Sequence, residues 1–452
     1  MTVTAPHPQP PGQADLERAF ALQRDYRWTA KTSSAEHRIA LLRKLREAVL
    51  RNANATRDAL FQDLRKPAEQ PMMDEVAVVL HDIDHAVEHL AQWMHPVPVE
   101  PRSGSRGDTA RVVIQYEARG VVLLFGAWNF PFQLVLAPLV PVLAAGNTAI
   151  VKPNEMAPAT SALVATILRE VFDEQHVAVF EGGVDLANQL LELPVDHIFF
   201  TGSPAVGKLV MAAAAGHLAS VTLELGGKCP AIIDGTTDLD VAVAYVAAGK
   251  TYNAGQVCLS PDYVLIRRDL RDAFVDRYMR WIDTHLYSDG TFNSSAMSAM
   301  VDVRNQARVM SYVDEAVRKG ATLRGRRGAD EDARSIEPVV LLDVPSDASV
   351  LREEIFGPVL PVLTWDDTAG LTEHVRAGDK PLAMYIYSSD QNFVSEVLAG
   401  TSSGGVTVNG WADHFREPNA PFGGVGSSGM GSYHGVHGFL ELSHARTVFV
   451  NT

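Results

Sequence analysis

A chain of 452 residues, 46% apolar and 21% charged, is too long for one hydrophobic core and too apolar for disorder, so it divides into two or three packed domains. Its formal net charge of −15 provides no global basic field, and no local Lys/Arg patch replaces one, so nucleic acid is not an expected partner. Two cysteines, Cys229 and Cys258, are too few for a disulfide framework and point to a reducing, cytoplasmic setting.

Residues 1–12 are proline-rich, lack the apolar segment of a secretory signal and read as a flexible tail. From Glu36 to Leu64, Ile39, Leu42, Leu45 and Val49 recur at helical spacing among arginines, which predicts one surface helix with a buried stripe. A second helix is predicted from about Asp74 to Trp93, with Val76, Val79, Leu80, Ile83, Val87 and Leu90 facing inward. Pro96, Pro98 and Pro101 end it, and RVVIQYEARG (111–120) reads as a strand near an exposed edge. The uncharged run from Gly120 to Val151 is long enough to cross a bilayer, but Gly126, Pro131, Pro138 and Pro141 interrupt it. It is expected instead to give a buried strand (Val121–Phe125), a polar loop, a short buried helix and a strand (Thr148–Val151), with no membrane partner.

Beyond Gly120, VVLLF, AIVK, HVAVF, HIFFTG and SVTLEL alternate with helical segments, the pattern of a doubly wound parallel sheet. After LELGGK the alternation resumes with YVLIRR, TLRG, VVLLDV, PVLPVLTW, AMYIYS and GGVTVN, which predicts a second α/β domain.

Several residues could carry chemistry. Cys258 lies in NAGQVCLSPDYVL, in a loop between a helix and a strand where a substrate could reach it, although most free cysteines are small core residues. Cys229 opens an apolar run and fits that core role better. Glu224, near the end of SVTLEL and before Gly226 and Gly227, is a carboxylate that needs a partner or a proton-transfer role; alone it reads as a structural ion pair. Asn129 follows the first strand of the alternating region, at the carboxyl end where α/β folds bind ligands, and is also an ordinary turn residue. Lys152 and Glu155 follow the next strand, either to reach ribose hydroxyls or as a solvated loop.

TGSPAVGK (201–208) matches the core of a phosphate-binding P-loop, but Leu209 replaces the Ser or Thr that would hold magnesium, which argues against a triphosphatase. The helix start at Gly202 and Ser203 still offers N–H donors to a pyrophosphate. His81, His85 and His89 repeat four apart on one helical face; without a completing ligand they read as a solvated face, and no metal is expected.

Taken in order, GAWNFPF, VKPNE, FTGSPAVGK, LELGGKCP, NAGQVCLSPDYVL, EEIFGPVLPV and APFGGVGSSGMGSYHG resemble the aldehyde dehydrogenase superfamily from about residue 30 to the carboxyl terminus. SGMGSYHGVHGFLELSH looks most like the class 3, fatty-aldehyde and coniferyl-aldehyde branches. One departure is Pro204, which stands where the family usually has a residue with an amide hydrogen. The resemblance implies two α/β domains with parallel-type sheets and a small β oligomerisation element. A dinucleotide-binding domain would span 13–98 and 120–226 and a catalytic domain 227–405. The oligomerisation element would come from 99–119 and 430–452, with 406–429 returning to the cofactor domain.

By the same resemblance, Cys258 attacks the aldehyde, Asn129 and the Cys258 amide hold the oxyanion, and Glu224 activates water to hydrolyse the thioester. Trp128, Lys152, Glu155, Gly202, Ser203, Glu354 and Phe356 are assigned to the cofactor. Glu155 would crowd a 2′-phosphate, which favours NAD, with NADP as the alternative. A homodimer is expected on resemblance alone. Trp128, Phe132, Trp411 and Phe422 suggest a hydrophobic tunnel for a medium-chain or aromatic aldehyde. A cysteine hydrolase without nicotinamide would use the same Cys258 and Glu224; reduction of added NAD by an aldehyde separates the two.

Overall fold

A computed structural model describes residues 12–102 and 110–451. The expected tail up to residue 11, and residues 103–109 of the expected oligomerisation element, lie outside the described residues. Helices α1 (Gln13–Lys31), α2 (Ala35–Arg51) and α3 (Ala53–Leu64) open the chain. The single helix expected over 36–64 is thus two. Asn52 leaves helical geometry (φ −96°, ψ 8°) while its side-chain amide donates to the Ala48 carbonyl at 2.9 Å, the competition with the backbone that disfavours Asn inside helices. The next helix begins as a π-turn over Pro71–Val76 and continues as α4 (Ala77–Trp93).

Strands β1 (Val97–Val99) and β2 (Arg111–Ala118) lead to the first parallel sheet, built from β3 (Val121–Phe125), β4 (Thr148–Lys152), β5 (Val177–Val179), β6 (His197–Gly202) and β7 (Ser220–Leu225). A second sheet contains β8 (Pro230–Ile233), β9 (Tyr263–Arg267), β10 (Thr322–Arg324), β11 (Val339–Leu342), β12 (Val359–Trp365), β13 (Ala383–Tyr387) and β14 (Gly405–Val408). The chain ends with β15 (Gly429–Met430) and β16 (Ser443–Val450).

The first sheet has the order β15-β7-β6-β3-β4-β5, parallel except for β15, and the second the order β10-β11-β12-β9-β8-β13-β14, parallel except for β10. Between them these strands realise every strand-like segment of the sequence. The uncharged run 120–151 becomes β3, the helix α5 (Gln133–Ala144) and β4, all buried. Among the described residues no helix is long and apolar enough to cross a membrane.

Both faces of the first sheet are covered, by helices that include α6 (Pro158–Val171), α7 (Val184–Leu191) and α8 (Pro204–Ala215), which is why its strands lack alternation. Val122, Leu124 and Phe199 pack with residues of α4 and α5 on one face, while Leu123, Ile198 and Phe200 pack with Leu16, Ala19 and Val210 on the other. The strand at 111–118 corrects an expectation. It is no edge but the middle of a three-stranded antiparallel sheet, β1-β2-β16, because the distant carboxyl-terminal strand pairs with all eight of its residues.

In the first sheet the chain runs from β3 outward through β4 to β5 and then returns to place β6 on the other side of β3. Such a reversal leaves a crevice at the carboxyl ends of the flanking strands. The loops after β3, β4 and β6 all open into it.

Candidate active site

The Cys258 loop is built on a backbone that ordinary residues avoid. After helix α9 (Leu239–Thr251), Asn253 (φ 48°), Ala254 (φ 57°) and Gly255 (φ 72°) follow one another in the left-handed region, at about 1–2 kcal/mol for each non-glycine residue. Gly255 is also required by contact, since a Cβ there would lie 2.4 Å from the Gly357 carbonyl oxygen. The strain is held by two buried amides. Asn253 Nδ2 donates to the carbonyls of Asn129 (2.9 Å) and Gln256 (3.2 Å). Gln256 Nε2 donates to those of Asn253 (2.9 Å) and Ala299 (3.0 Å), and Gln256 Oε1 accepts from the Val301 amide at 2.9 Å. This bracing sets Cys258 at the lip of the cavity, part-buried, while Cys229 is fully buried with its thiol donating to the Cys258 carbonyl at 3.3 Å.

All ten residues singled out in the sequence line one cavity of about 1640 Å³: Cys258, Glu224, Asn129, Trp128, Lys152, Glu155, Gly202, Ser203, Glu354 and Phe356. Asn129 is buried and its side-chain amide donates one N–H to the Gln256 carbonyl at 3.1 Å; an amide nitrogen carries a second N–H. Glu224 comes from the end of β7, with both carboxylate oxygens buried and unpartnered. Burial drives its pKa well above the carboxylate range, and Glu441 adds to the rise. Burial also pushes the Cys258 thiol up to about 12, helped by the carboxylates of Glu354 and Glu224 and opposed by the amides of Cys258 and Leu259.

At the other end of the cavity, Ser203 caps the helix α8 (Pro204–Ala215), its hydroxyl accepting from the Val206 amide. Lys152 Nζ is buried and ion-paired with Glu155 at 2.7 Å. The Glu354 carboxylate sits over Gly226, where a Cβ would come within 2.1 Å of it, and burial raises its pKa to about 8. Phe356 is held at φ 50° with its ring edge-on to Trp128 at 5.3 Å.

Of the four aromatics suggested for a tunnel, Trp128, Trp411 and Phe422 line the cavity, but Phe132 does not. It is fully buried in the core, because it opens α5 with its ring under the sheet, while its amide donates to Glu75. Sequence reading missed Asp74, Tyr252, Arg308, Tyr312, Tyr433 and His434, which also line the cavity. Asp74 left a trace as a charge just ahead of the apolar stripe of α4, and Tyr433 and His434 lie in the SYHG end of the last motif; burial lifts the Asp74 pKa to about 7. His81 is exposed, while His85 and His89 are half-buried, their rings tilted against each other at 4.4 Å and that of His89 stacked on Trp93 at 6.0 Å.

A cavity that joins a thiol, an orphaned carboxylate and an amide to a capped helix start fits a nucleophilic dehydrogenase. Residues 7–448 match the model of the aldehyde dehydrogenase family, and the chain belongs to that family, whose members oxidise aldehydes to carboxylic acids with NAD or NADP. It is 41% identical over 437 residues to an aldehyde dehydrogenase of Bacillus subtilis (strain 168) called AldX, covering 96% of this chain and 98% of that one. It is 38% identical over 425 residues to "Aldehyde dehydrogenase, dimeric NADP-preferring" of Rattus norvegicus, covering 94% and 92% of the two chains. The fold matches the substrate-bound structure of Staphylococcus aureus AldH with a TM-score of 0.91 at 34% identity, over 97% of this chain and 94% of that one.

Proposed function

We propose that Cys258 is the nucleophile, Asn129 the oxyanion donor and Glu224 the base of an aldehyde oxidation that passes through a thioester. The observation that carries the reading is the convergence of a reachable thiol and an unpartnered, buried carboxylate on the cavity that holds the start of α8. Attack by the Cys258 sulfur makes the carbonyl carbon tetrahedral and its oxygen anionic. The free N–H of Asn129 and the Cys258 amide stabilise that charge, each such donor contributing roughly 3–4 kcal/mol. Glu224, in its ionised form and made a stronger base by burial, takes a proton from water as that water attacks the thioester, and the C–S bond breaks to release the acid and leave Cys258 as a thiolate.

The other residues of the cavity fit a dinucleotide. The amino end of α8 and Ser203 offer N–H groups and a positive dipole to a pyrophosphate, Lys152 and Glu155 face a ribose, and Glu354 and Phe356 flank the other half. When bound, the nicotinamide supplies the hydride acceptor. Because Lys152 is already paired with Glu155, a 2′-phosphate would meet a carboxylate there, which favours NAD over NADP. The rat relative is NADP-preferring by name, so the ratio of kcat/KM for the two dinucleotides is the test of this preference.

The first sheet with its helices serves as the cofactor domain (13–98 and 120–226) and the second as the catalytic domain (227–405). Segment 406–429 first completes β14 of the second sheet and then returns to the first sheet at β15, and 99–119 with 430–452 serves as the oligomerisation element, to which β1 adds Val97 and Pro98. Its outer strands expose Val97, Val99, Phe449 and Val450, which suits a homodimer. The free Cys229 and Cys258 fit the reducing cytoplasm. The aromatic wall of Trp128, Trp411 and Phe422 suits a medium-chain aliphatic or aromatic aldehyde. The function is tested by following NADH formation from a panel of such aldehydes in the natural chain and in Cys258→Ala. Activity should fall by at least about a thousandfold; a variant that keeps turning over removes Cys258 as nucleophile.

A further inference from the structure

A base that takes a proton from water must lose it again before the next turnover, and Glu224 is poorly placed to lose it. Both its oxygens are shut off from solvent. On β7, however, Ser220, Thr222 and Glu224 are alternate residues and share one face. The parallel register sets His197 beside Ser220, Phe199 beside Thr222 and Thr201 beside Glu224, so the same face carries a polar row.

That row is hydrogen-bonded in a single direction. The Ser220 hydroxyl meets His197 Nδ1 at 2.7 Å, and His197 Nε2 meets the Thr222 hydroxyl at 3.1 Å. Thr222 Oγ1 in turn donates to Glu441 Oε1 at 2.7 Å. Burial drives the His197 pKa down to about 3, so the ring is neutral and offers one N–H and one lone pair. With Thr222 donating to Glu441, the ring's N–H falls on Nε2. Arg119 holds both ends, donating from Nε to the Glu441 carbonyl at 2.7 Å and from Nη1 to Ser220 Oγ at 3.0 Å.

Glu441 is thereby brought to the strand of the base. Its approach depends on Gly431 (φ +81°), where a Cβ would stand 2.5 Å from Glu441 Oε1 and 3.2 Å from Thr222 Cγ2. Glu441 itself is half-buried and in reach of bulk water, unlike Glu224. Beside Glu224 on the neighbouring strand stands Thr201, and its Oγ1 and the two Glu224 oxygens are buried polar atoms with no partner; two to four such groups are what an internal water requires.

We propose that Glu441 takes the proton from Glu224 through one bridging water and passes it to solvent, with Thr222 and His197 as positioning residues that aim its carboxylate. The inference rests on Glu224 being the base of thioester hydrolysis. Its balance is simple. Attack of water on the thioester forms a C–O bond and leaves a proton on Glu224, and the C–S bond breaks to release the acid, with its electron pair staying on Cys258 as the thiolate. The Glu224 proton then moves to the bridging water as that water gives one of its own to Glu441. Glu441 loses a proton to bulk solvent, and both carboxylates return to their starting state without any change of oxidation level.

The test uses p-nitrophenyl acetate, whose nitrophenolate burst reports acylation of the enzyme and whose steady phase reports hydrolysis of the acyl enzyme. Glu441→Gln keeps an acceptor for Thr222 but cannot take a proton. It is expected to leave the burst amplitude unchanged, to slow the steady phase about tenfold, and to raise the solvent deuterium isotope effect on that phase. Formate added to this variant should restore the rate in proportion to its concentration. Thr222→Ser should behave as the natural chain, and Thr222→Val as Glu441→Gln. A steady phase and isotope effect within twofold of the natural chain in both Glu441→Gln and Thr222→Val would overturn the relay. A natural chain with no burst, or a burst that survives Cys258→Ala, would instead overturn the thioester reading beneath it.

Discussion

At the scale of single residues, Cys258 is held as a thiol, and the reason is electrostatic. Burial and the carboxylates of Glu354 and Glu224 disfavour the thiolate more than the two backbone amides favour it, leaving its pKa at about 12. The reactive form of the cofactor-free enzyme is therefore scarce at neutral pH and grows as pH rises toward that value. Alkylation by iodoacetamide should accelerate roughly tenfold per pH unit from about 7 to 10, as the thiolate fraction does below a pKa. A rate that levels off near pH 8 would show a thiolate stabilised by something the free protein already holds. Glu224 makes the complementary case. Glu224→Gln should leave the first turnover of NADH intact while slowing steady turnover by about a hundredfold or more, the usual worth of a positioned base. Stopped-flow traces that lose the first turnover as well would give Glu224 an earlier role.

At the scale of the element, the turn from Tyr252 to Gly255 converts a motif into geometry. Its residues are legible in the sequence as NAGQVC, but their purpose is not. Asn253 sits in the left-handed region, where Asn is tolerated, and its amide ties the turn to the Asn129 carbonyl, so the Cys258 and Asn129 loops are linked directly. Gly255 carries both a positive φ and a near-contact with the Gly357 carbonyl, next to Phe356. Gly255→Ala should therefore lower stability by about 2–4 kcal/mol, combining left-handed strain with displaced backbone. Urea unfolding measures that loss, and the NADH burst should shrink with it; full stability would show that the turn relaxes freely.

At the scale of the whole molecule, a buried ion pair ties together segments far apart in sequence. Lys66 and Glu75 form a fully buried pair at 2.5 Å, Lys66 Nζ also lies 4.0 Å from the Phe130 ring centroid, and Glu75 accepts from the amides of Phe132 (3.1 Å) and Gln133 (2.8 Å). The pair thus anchors the start of α5, just after Asn129, to the segment before α4. Lys66→Met would strand a buried carboxylate and is expected to cost about 3–5 kcal/mol. Adding Glu75→Gln should recover part of the loss, as judged by the urea midpoint. Equal stability of the two variants would mean that the carboxylate carries no charge to strand.

Much of this molecule could be read before its structure. Apolar runs alternating with helical segments determined the strands, because a strand buried on both faces has to be apolar throughout, and ordered short motifs marked ten of the residues that line the cavity. Other features needed three dimensions. Whether 111–118 was an edge depended on the carboxyl-terminal strand more than 300 residues away, and Phe132 looked like a tunnel residue until its helix turned it under the sheet. Asp74, Arg308 and His434 joined the cavity only through folding, and Thr222, His197 and Glu441 met only through strand register and a bare Cα at Gly431. Local pattern determines which face of an element is apolar, because that depends on spacing along the chain. Which polar groups meet inside depends on contacts between distant segments, and no local spacing encodes those.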